Sequence, residues 1–491
     1  MVETAPNGID RPSFGPGRTH LGRVNVAKSE TRPAGGRVLG YLPPDVPPPG
    51  ALISLGFQHV LTMFPATALV AIITGFDVAV TVFASGLATV LAAIGSRNRI
   101  PLYYGGSFAY LAAVVGIVTA EYGSTELAQV GVVATGVLNI VIGYIIKAAG
   151  KEKLDLVLPA SVTGSIAIVI GLALAKEALD MAIDNWGIAL TTLLLTVLFS
   201  IYLRGLGLLG MLPILLGAVC GYLVAAITGN VEFSAVGDAS WLAMPDFQLP
   251  AFTDENAWRA IVAIAPIVIA TIPESTAHLY QVSLYVDELA AEMKRPPLRI
   301  KRLVGLNLVL DGVSDITNGM LGASSGTNYG ENNSLMAITR NFSVPVLISA
   351  GVIAMALGFV SKLSAVVTTI PVAVTGGLAI YLFGVIGVQG IALIMSERVN
   401  LFDPRQLAIT SVVLVVGIGG DAFEGGNLPF FDWNVPAIAS AAVAGILLNL
   451  LFLLLDGLLG ERRPAAPEPI TTAPTGETSS TSVSSEPERA R

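Results

Sequence analysis

Glu274 and His278 stand four residues apart in an otherwise apolar run, Ala265-Pro-Ile-Val-Ile-Ala-Thr-Ile-Pro273-Glu-Ser-Thr-Ala-His-Leu-Tyr280. Residues at that spacing share one face of a helix, and a carboxylate and an imidazole so placed can pass a proton between them. An unpaired charge at membrane depth is costly, so a transported proton is a natural occupant of the pair. Asp311 and Asp315 repeat the spacing on a later apolar run, although Asp315, near the end of that run, equally suits a cap or a local hydrogen bond. Gln58-His59 places another imidazole in the first apolar run. His59 has two readings, a member of the proton-handling group or a satisfied packing residue. A metal centre is the competing reading of Glu274, His278 and His59, but the chain has no HExxH or Cys pattern. No metal or other cofactor is therefore expected, only a proton as coupling ion. The chain also has no nucleophile elbow, phosphate loop or kinase-like motif, which argues against an enzyme.

A second polar feature is Gly322-Ala-Ser-Ser-Gly-Thr-Asn-Tyr-Gly-Glu331-Asn-Asn-Ser-Leu-Met-Ala-Ile-Thr-Arg340, a glycine-broken stretch between apolar runs. Irregular backbone at membrane depth is tolerated only where protein buries it or it lines a watery cavity. Glu331 is its foremost ionisable residue. The residues after it read as a short helix, whose first N–H groups lack acceptors and face the glycine turn. The plainer alternative is a polar loop joining two helices.

These residues need a scaffold, and composition says which kind. Of 491 residues 53% are hydrophobic and 13% charged, against roughly 25% charged in soluble chains; this is an integral membrane protein. No basic stripe points to nucleic acid. The lone Cys220 rules out an internal disulfide. The first fifty residues are polar and proline-rich and lack a cleavable signal pattern, and the tail from Arg462 is rich in Pro, Ser, Thr and Glu, so disorder is expected at both ends.

Between them the apolar runs predict fourteen membrane segments, at 51–74, 78–95, 104–120, 127–148, 154–175, 187–203, 208–228, 257–283, 303–321, 329–341, 344–361, 369–395, 405–420 and 434–456. With both termini cytoplasmic, the inner connections carry Arg97, Arg99, Lys147, Arg204, Lys294, Arg295, Arg398 and Arg405 among others, and the outer ones only Lys176, Arg259 and Lys362. That asymmetry obeys the positive-inside rule. Pro159-Ala-Ser-Val-Thr-Gly164 in the fifth segment matches Pro371-Val-Ala-Val-Thr-Gly376 in the twelfth, which divides the chain into two units of seven. An odd repeat forces inverted topology, with the site near the midplane between broken helices. The tenth segment then has its twin in the third, where Pro101-Leu-Tyr-Tyr-Gly-Gly-Ser-Phe108-Ala-Tyr110 is a strand-like lead-in to a half-helix. The fold class expected is an all-α polytopic membrane protein. The glycines after the two prolines supply small residues for close helix contact, so bulk at Gly164 or Gly376 is expected to jam movement.

These motifs together resemble the nucleobase–ascorbate transporter family, and within it the bacterial uracil permeases. The family signature (Gln or Glu, Asn, any residue, Gly, four residues, Thr, Arg) stands here as Glu331-Asn332-Asn333-Ser334 and then Thr339-Arg340, with Ser334 in place of glycine. Gln58-His59, Glu274 with His278, Asp311-Gly312 and Gly106-Ser107-Phe108-Ala109 match further family motifs. Asn328-Tyr329-Gly330-Glu331 is similar to Thr-Tyr-Gly-Glu of uracil permeases, and Phe383 stands where they carry Tyr.

The resemblance implies proton-coupled uptake of a nucleobase by an elevator-like movement, in a homodimer joined through a gate domain in the cell membrane. The corresponding division is a cytoplasmic tail 1–50, core spans 51–150, gate spans 151–230, an outer loop 231–256, core spans 257–365, gate spans 366–458 and a tail 459–491. Carried over residue by residue, Glu274 and Glu331 bind the base with backbone groups at Phe108 and Gly330, and His278, Tyr329, Phe383 and Ser107 line the pocket. Proton coupling falls to Glu274, His278, Asp311 and His59. A pyrimidine edge of alternating N–H and C=O suits carboxylates beside backbone donors, and its ring would lie between Phe108 and Tyr329. Glu rather than Gln at position 331 tilts the substrate toward uracil. A purine or xanthine symporter is the alternative, followed by an anion transporter or passive facilitator of the same fold.

Overall fold

The computed structural model describes residues 40–459 apart from 151–152, 154–155, 205, 207–208, 424–426 and 431–432. Residues 1–39 and 460–491, most of the two expected tails, lie outside the described residues.

A helix falls on each of the fourteen apolar segments: α1 (Pro49–Thr74), α2 (Val78–Gly95), α3 (Phe108–Val118), α4 (Thr125–Ala149), α5 (Ala160–Ala173), α6 (Trp186–Tyr202), α7 (Pro213–Ile227), α8 (Ala257–Glu292), α9 (Val304–Leu321), α10 (Gly330–Thr339), α11 (Val344–Gly358), α12 (Val372–Ser396), α13 (Pro404–Asp421) and α14 (Ala437–Leu459). Local sequence sets several of the starts. Asp77 Oδ1 accepts from the Val80 N–H at 2.7 Å and Ser124 Oγ from that of Leu127 at 3.1 Å, satisfying donors that a first helical turn leaves open. Among the described residues α1, α2, α4, α8, α12 and α14 are long and apolar enough to cross a membrane unaided, and α11 with the helix Ser361–Thr368 forms a pair bent by 78°. Helix α10 has only 10 residues, and a short strand precedes it, as one precedes α3.

The helices pack in pairs that recur at an offset of seven. Helix α2 lies on α11 as α9 lies on α4, α6 on α7 as α13 on α14, and α5 lies on its own counterpart α12. Small residues bring these backbones together: a Cβ on Gly312 would stand 2.4 Å from the Gly136 carbonyl oxygen, and one on Gly86 the same 2.4 Å from that of Gly351. The repeat extends to single hydrogen bonds. The Pro159 carbonyl accepts from the N–H groups of Val162 (2.9 Å) and Thr163 (3.1 Å), and that of Pro371 from Val374 (2.9 Å) and Thr375 (3.2 Å).

Two expectations change. Gly164 packs on Ile394 and the Gly390 carbonyl of α12, and Gly376 on the Ala182 backbone in the helix Ala175–Ile183. Both contacts lie within the group of helices around α5 and α12, not between it and the other helices, so bulk there meets that group's own packing first. The stretch 1–50 is also not disordered to its end. Leu42 is buried, Tyr41 N–H donates to the Arg340 carbonyl (3.0 Å), Phe342 N–H donates to the Tyr41 carbonyl (2.8 Å), and Arg295 pairs with Asp45 at 2.8 Å. Leu42 and Pro43 read as loop by composition, but they find an apolar seat and backbone partners beside the end of α10.

The two helix groups meet along an apolar seam. Leu69 and Val70 of α1 and Leu111 of α3 pack with Met181, Ala379, Leu382 and Phe383 of the other group.

Candidate functional site

A two-stranded ribbon lies where the chain breaks its helices. β1 (Tyr104–Gly106) pairs antiparallel with β2 (Gly326–Asn328), with Gly105 opposite Thr327. The Ser107 N–H donates to the Ser325 carbonyl and the Tyr329 N–H to that of Tyr103, both at 2.9 Å. The non-helical backbone at this depth thus bonds to its counterpart from the other repeat, which is how the polar groups are satisfied away from water. Antiparallel pairing sends α3 and α10 off in opposite directions, with their N-termini at the ribbon.

Tyr329 locks this ribbon. Its hydroxyl donates to the Gly106 carbonyl (3.0 Å) and shares a hydrogen bond with Thr67 Oγ1 (3.0 Å), and its ring occupies the space beside Gly105, where an added Cβ would come within 2.5 Å of it. At 3% exposure the side chain is a strut, so the expectation of a planar ring held between Phe108 and Tyr329 does not hold at Tyr329. Half-buried Phe108 instead meets Phe383 of α12 edge to face, centroids 6.2 Å apart at 73°. Buried Ser107 uses its main chain in the ribbon, and its Oγ has no protein partner.

Helix α10 begins without a side-chain cap from Tyr329, and the first N–H to be bonded within it is that of Asn333, to the Tyr329 carbonyl at 3.2 Å. Gly330, Glu331 and Asn332 therefore present three N–H donors at the positive end of the helix dipole. Half-buried Glu331 stands in this first turn, while Glu274 is on an exposed part of α8 within electrostatic reach of both His278 and Glu331. His278 faces the same turn, its Nε2 lying 2.9 Å from where a Cβ on Gly330 would be. The structure thus brings His278, Gly330 and Glu331 to one helix turn, with Glu274 within electrostatic reach of His278 and Glu331. Ser334 Oγ donates back to the Gly330 carbonyl at 3.1 Å, so the residue replacing the signature glycine occupies an acceptor of α10 itself.

Asp311 lies behind this cluster, buried, and accepts from Ser275 Oγ and, at 3.3 Å, from Asn328 Nδ2. Ser275 Oγ in turn accepts from Asn328 Nδ2 and Asn307 Nδ2, each at 2.7 Å, and Tyr104 OH donates to Asn307 Oδ1 at 3.2 Å. Sequence reading missed Ser275, Asn307 and Thr67, and gave Asn328 no role beyond its place in a motif. The available signal was the spacing of Asn307 four residues before Asp311, which puts both on one buried stripe of α9. His59 is buried and takes another part: Asn332 Nδ2 donates to its Nδ1 (3.0 Å) and to its carbonyl (3.2 Å), so of its two readings the contacts are those of packing, α1 against α10.

Asp315 takes the local role. One oxygen accepts from Ser325 Oγ (2.6 Å) and from the Gly326 N–H (2.8 Å), bracing the turn into β2. Asp315→Ala should lower stability by about 1–3 kcal/mol for each buried donor left unpaired, whereas Asp315→Asn keeps an acceptor oxygen and should cost less. Melting of the two purified variants in detergent checks this, and equal loss in both would show that the charge, not the acceptor, matters.

Comparison with known proteins adds a second line. Residues 50–424 match the model of the Permease family. The uracil permease of Bacillus caldolyticus is 36% identical over 419 residues, covering 83% of this chain and 93% of that protein, and the uracil permease of Bacillus subtilis (strain 168) is 34% identical over 423 residues, covering 83% and 94%. The structure of the murine Slc26a9 anion transporter in the inward-facing state superposes with a TM-score of 0.59 at 12% identity, over 91% of this chain and 77% of that one, a likeness of fold.

Proposed function

The chain belongs to the Permease family, and from that premise we propose that it is a proton-coupled symporter that imports a nucleobase, with uracil as the preferred substrate. Family membership makes it a membrane transporter, not an enzyme. The observation that carries the substrate reading is the placement of Glu331 in the first turn of α10, among its opening N–H groups, with Glu274 within electrostatic reach of it. The edge of a pyrimidine alternates N–H and C=O, so it meets carboxylate acceptors and backbone donors in turn. In this reading Glu274 and Glu331 hold the base with the main chain at Phe108 and Gly330. His278 and the Phe108–Phe383 pair wall the pocket, and Ser107 and Tyr329 support it from the ribbon. Glu274, His278 and Asp311 carry the proton coupling, and His59 contributes by seating α10. The relatives named uracil permease support the same substrate.

The seven-offset packing supports two inverted repeats of seven spans each. Helices α1–α4 and α8–α11 form a core that bears the site, and α5–α7 with α12–α14 form a gate. The apolar seam at Leu69, Leu111 and Leu382 makes no directional bond of its own, which suits an elevator-like sliding of core past gate. The protein sits in the cell membrane with both termini cytoplasmic and pairs with a second copy through the gate.

Uptake of radiolabelled uracil, xanthine and sulfate into vesicles under an imposed pH gradient tests the substrate and the coupling together. Uracil should accumulate with the gradient; accumulation of xanthine alone would reassign the substrate to purines, and of sulfate alone to anions. Glu331→Gln, which replaces an acceptor by a mixed donor and acceptor, should weaken uracil binding about ten- to a hundredfold, from ~1–3 kcal/mol per mispaired buried group. Unchanged affinity in the purified variant removes Glu331 from the pocket.

A further inference from the structure

We propose that Asn328 is a positioning residue that holds His278 in its Nδ1–H tautomer, so that the nitrogen facing the substrate pocket, Nε2, is an acceptor. The geometry leaves little freedom. His278 Nδ1 lies 2.9 Å from the Asn328 carbonyl and 2.8 Å from Asn328 Oδ1. Both are oxygens without hydrogen, so Nδ1 must donate. The orientation of the Asn328 amide is fixed from its far side, where Nδ2 donates to Ser275 Oγ (2.7 Å) and Asp311 Oδ1 (3.3 Å). A flipped amide would turn its oxygen toward the Asp311 carboxylate and its NH2 toward Nδ1. Ser275 cannot relax the constraint, because its own hydrogen is given to Asp311 while its lone pairs receive Asn328 and Asn307. The chain of polarity therefore runs from the Asp311 carboxylate through Ser275 and Asn328 to the imidazole, and with Nδ1 carrying the hydrogen the neutral ring presents a bare Nε2 beside Gly330. The main-chain carbonyl alone would tolerate a tilted ring; the second, side-chain oxygen pins the ring in plane.

This deepens the nucleobase reading and rests on it. Glu274, Glu331 and Nε2 are then three acceptors, which a ligand satisfies with N–H groups, and the opening N–H groups of α10 are the donors for its carbonyls. Specificity at this edge thus depends on a residue that does not touch the substrate.

The test is the 15N spectrum of His278 in the purified, substrate-free protein with ring-labelled histidine, assigned by loss of its signals in His278→Gln. The parent should show a protonated Nδ1 and an unprotonated Nε2. Asn328→Leu leaves only the main-chain carbonyl for Nδ1, and because the ring can then tilt off it, a mixture of tautomers and an affinity for uracil lowered about tenfold are expected. Asn328→Thr, whose hydroxyl can accept from Nδ1 while donating toward Ser275, should recover the single tautomer and most of the affinity. A parent ring protonated at Nε2 instead of Nδ1, or a folded Asn328→Leu protein with the parent spectrum and affinity, overturns the proposal. Because the spectrum is read without substrate, it is independent of whether the vesicles take up uracil, xanthine or neither.

Discussion

Glu274→Gln should leave the purified protein folded and able to hold uracil, yet reduce gradient-driven accumulation to simple equilibration. A gradient of one pH unit is worth about 1.4 kcal/mol per coupled proton, about tenfold in accumulation, and a glutamine cannot carry that proton across. The expectation rests on the proposed coupling role of Glu274, which lies on α8 within electrostatic reach of His278 and Glu331. The measurement is the ratio of internal to external radiolabelled uracil in proteoliposomes with and without a pH step. A variant that accumulates uracil to the parent ratio would falsify the coupling role, whatever its affinity.

Gly105→Ala should be nearly as damaging, although it adds one methyl group. The added Cβ would stand 2.5, 2.6 and 2.8 Å from atoms of the Tyr329 ring and hydroxyl, and Tyr329 cannot withdraw while its hydroxyl is tied to Gly106 and Thr67. Overpacking of this kind costs about 1–3 kcal/mol, and here the strain falls on the ribbon that sets the N-termini of α3 and α10. A lower melting midpoint and at least a tenfold weaker uracil affinity are expected. Adding Tyr329→Leu to Gly105→Ala should restore part of the stability, the interaction being read from a double-mutant cycle. Gly105→Ala at parent stability and affinity would show that the ribbon is compliant.

Much of this arrangement was legible in the residues. Hydropathy placed the helices because each must present some 20 apolar residues or be sheltered by others that do, and the matched Pro-to-Gly segments carried the seven-fold offset to a level where even the Pro159 and Pro371 carbonyls take equivalent bonds. Glu274 with His278 was readable because helical spacing is a local property. What escaped were partnerships between distant segments. Nothing around Asn328 announces that its amide meets Ser275, fifty-three residues earlier in the chain, and Tyr329 read as a pocket aromatic because its strut role depends on Gly105 and Thr67. Leu42 was lost for the same reason: its seat exists only once α10 and α11 are in place. Composition reports what a residue is able to bury, and the partner that buries it is a property of the fold.

The pairing of β1 with β2 also has a consequence for biosynthesis. Gly106 and Tyr329 are 223 residues apart in the chain. At ~5–20 residues per second of synthesis, the ribosome needs on the order of ten to fifty seconds to deliver β2 after β1 has emerged. During that interval the Tyr104 N–H and C=O can bond to Thr89 and Ser85 of α2, but the Tyr103 carbonyl and the Ser107 N–H have no strand to meet, in a medium that penalises unpaired groups. The first half must therefore wait in a shallow or sheltered position, and the pocket comes into being in a single late step when α9 and α10 arrive. Truncation after residue 230 should then leave a product that the membrane quality-control machinery degrades, while residues 231–491 supplied from a second message should rescue it.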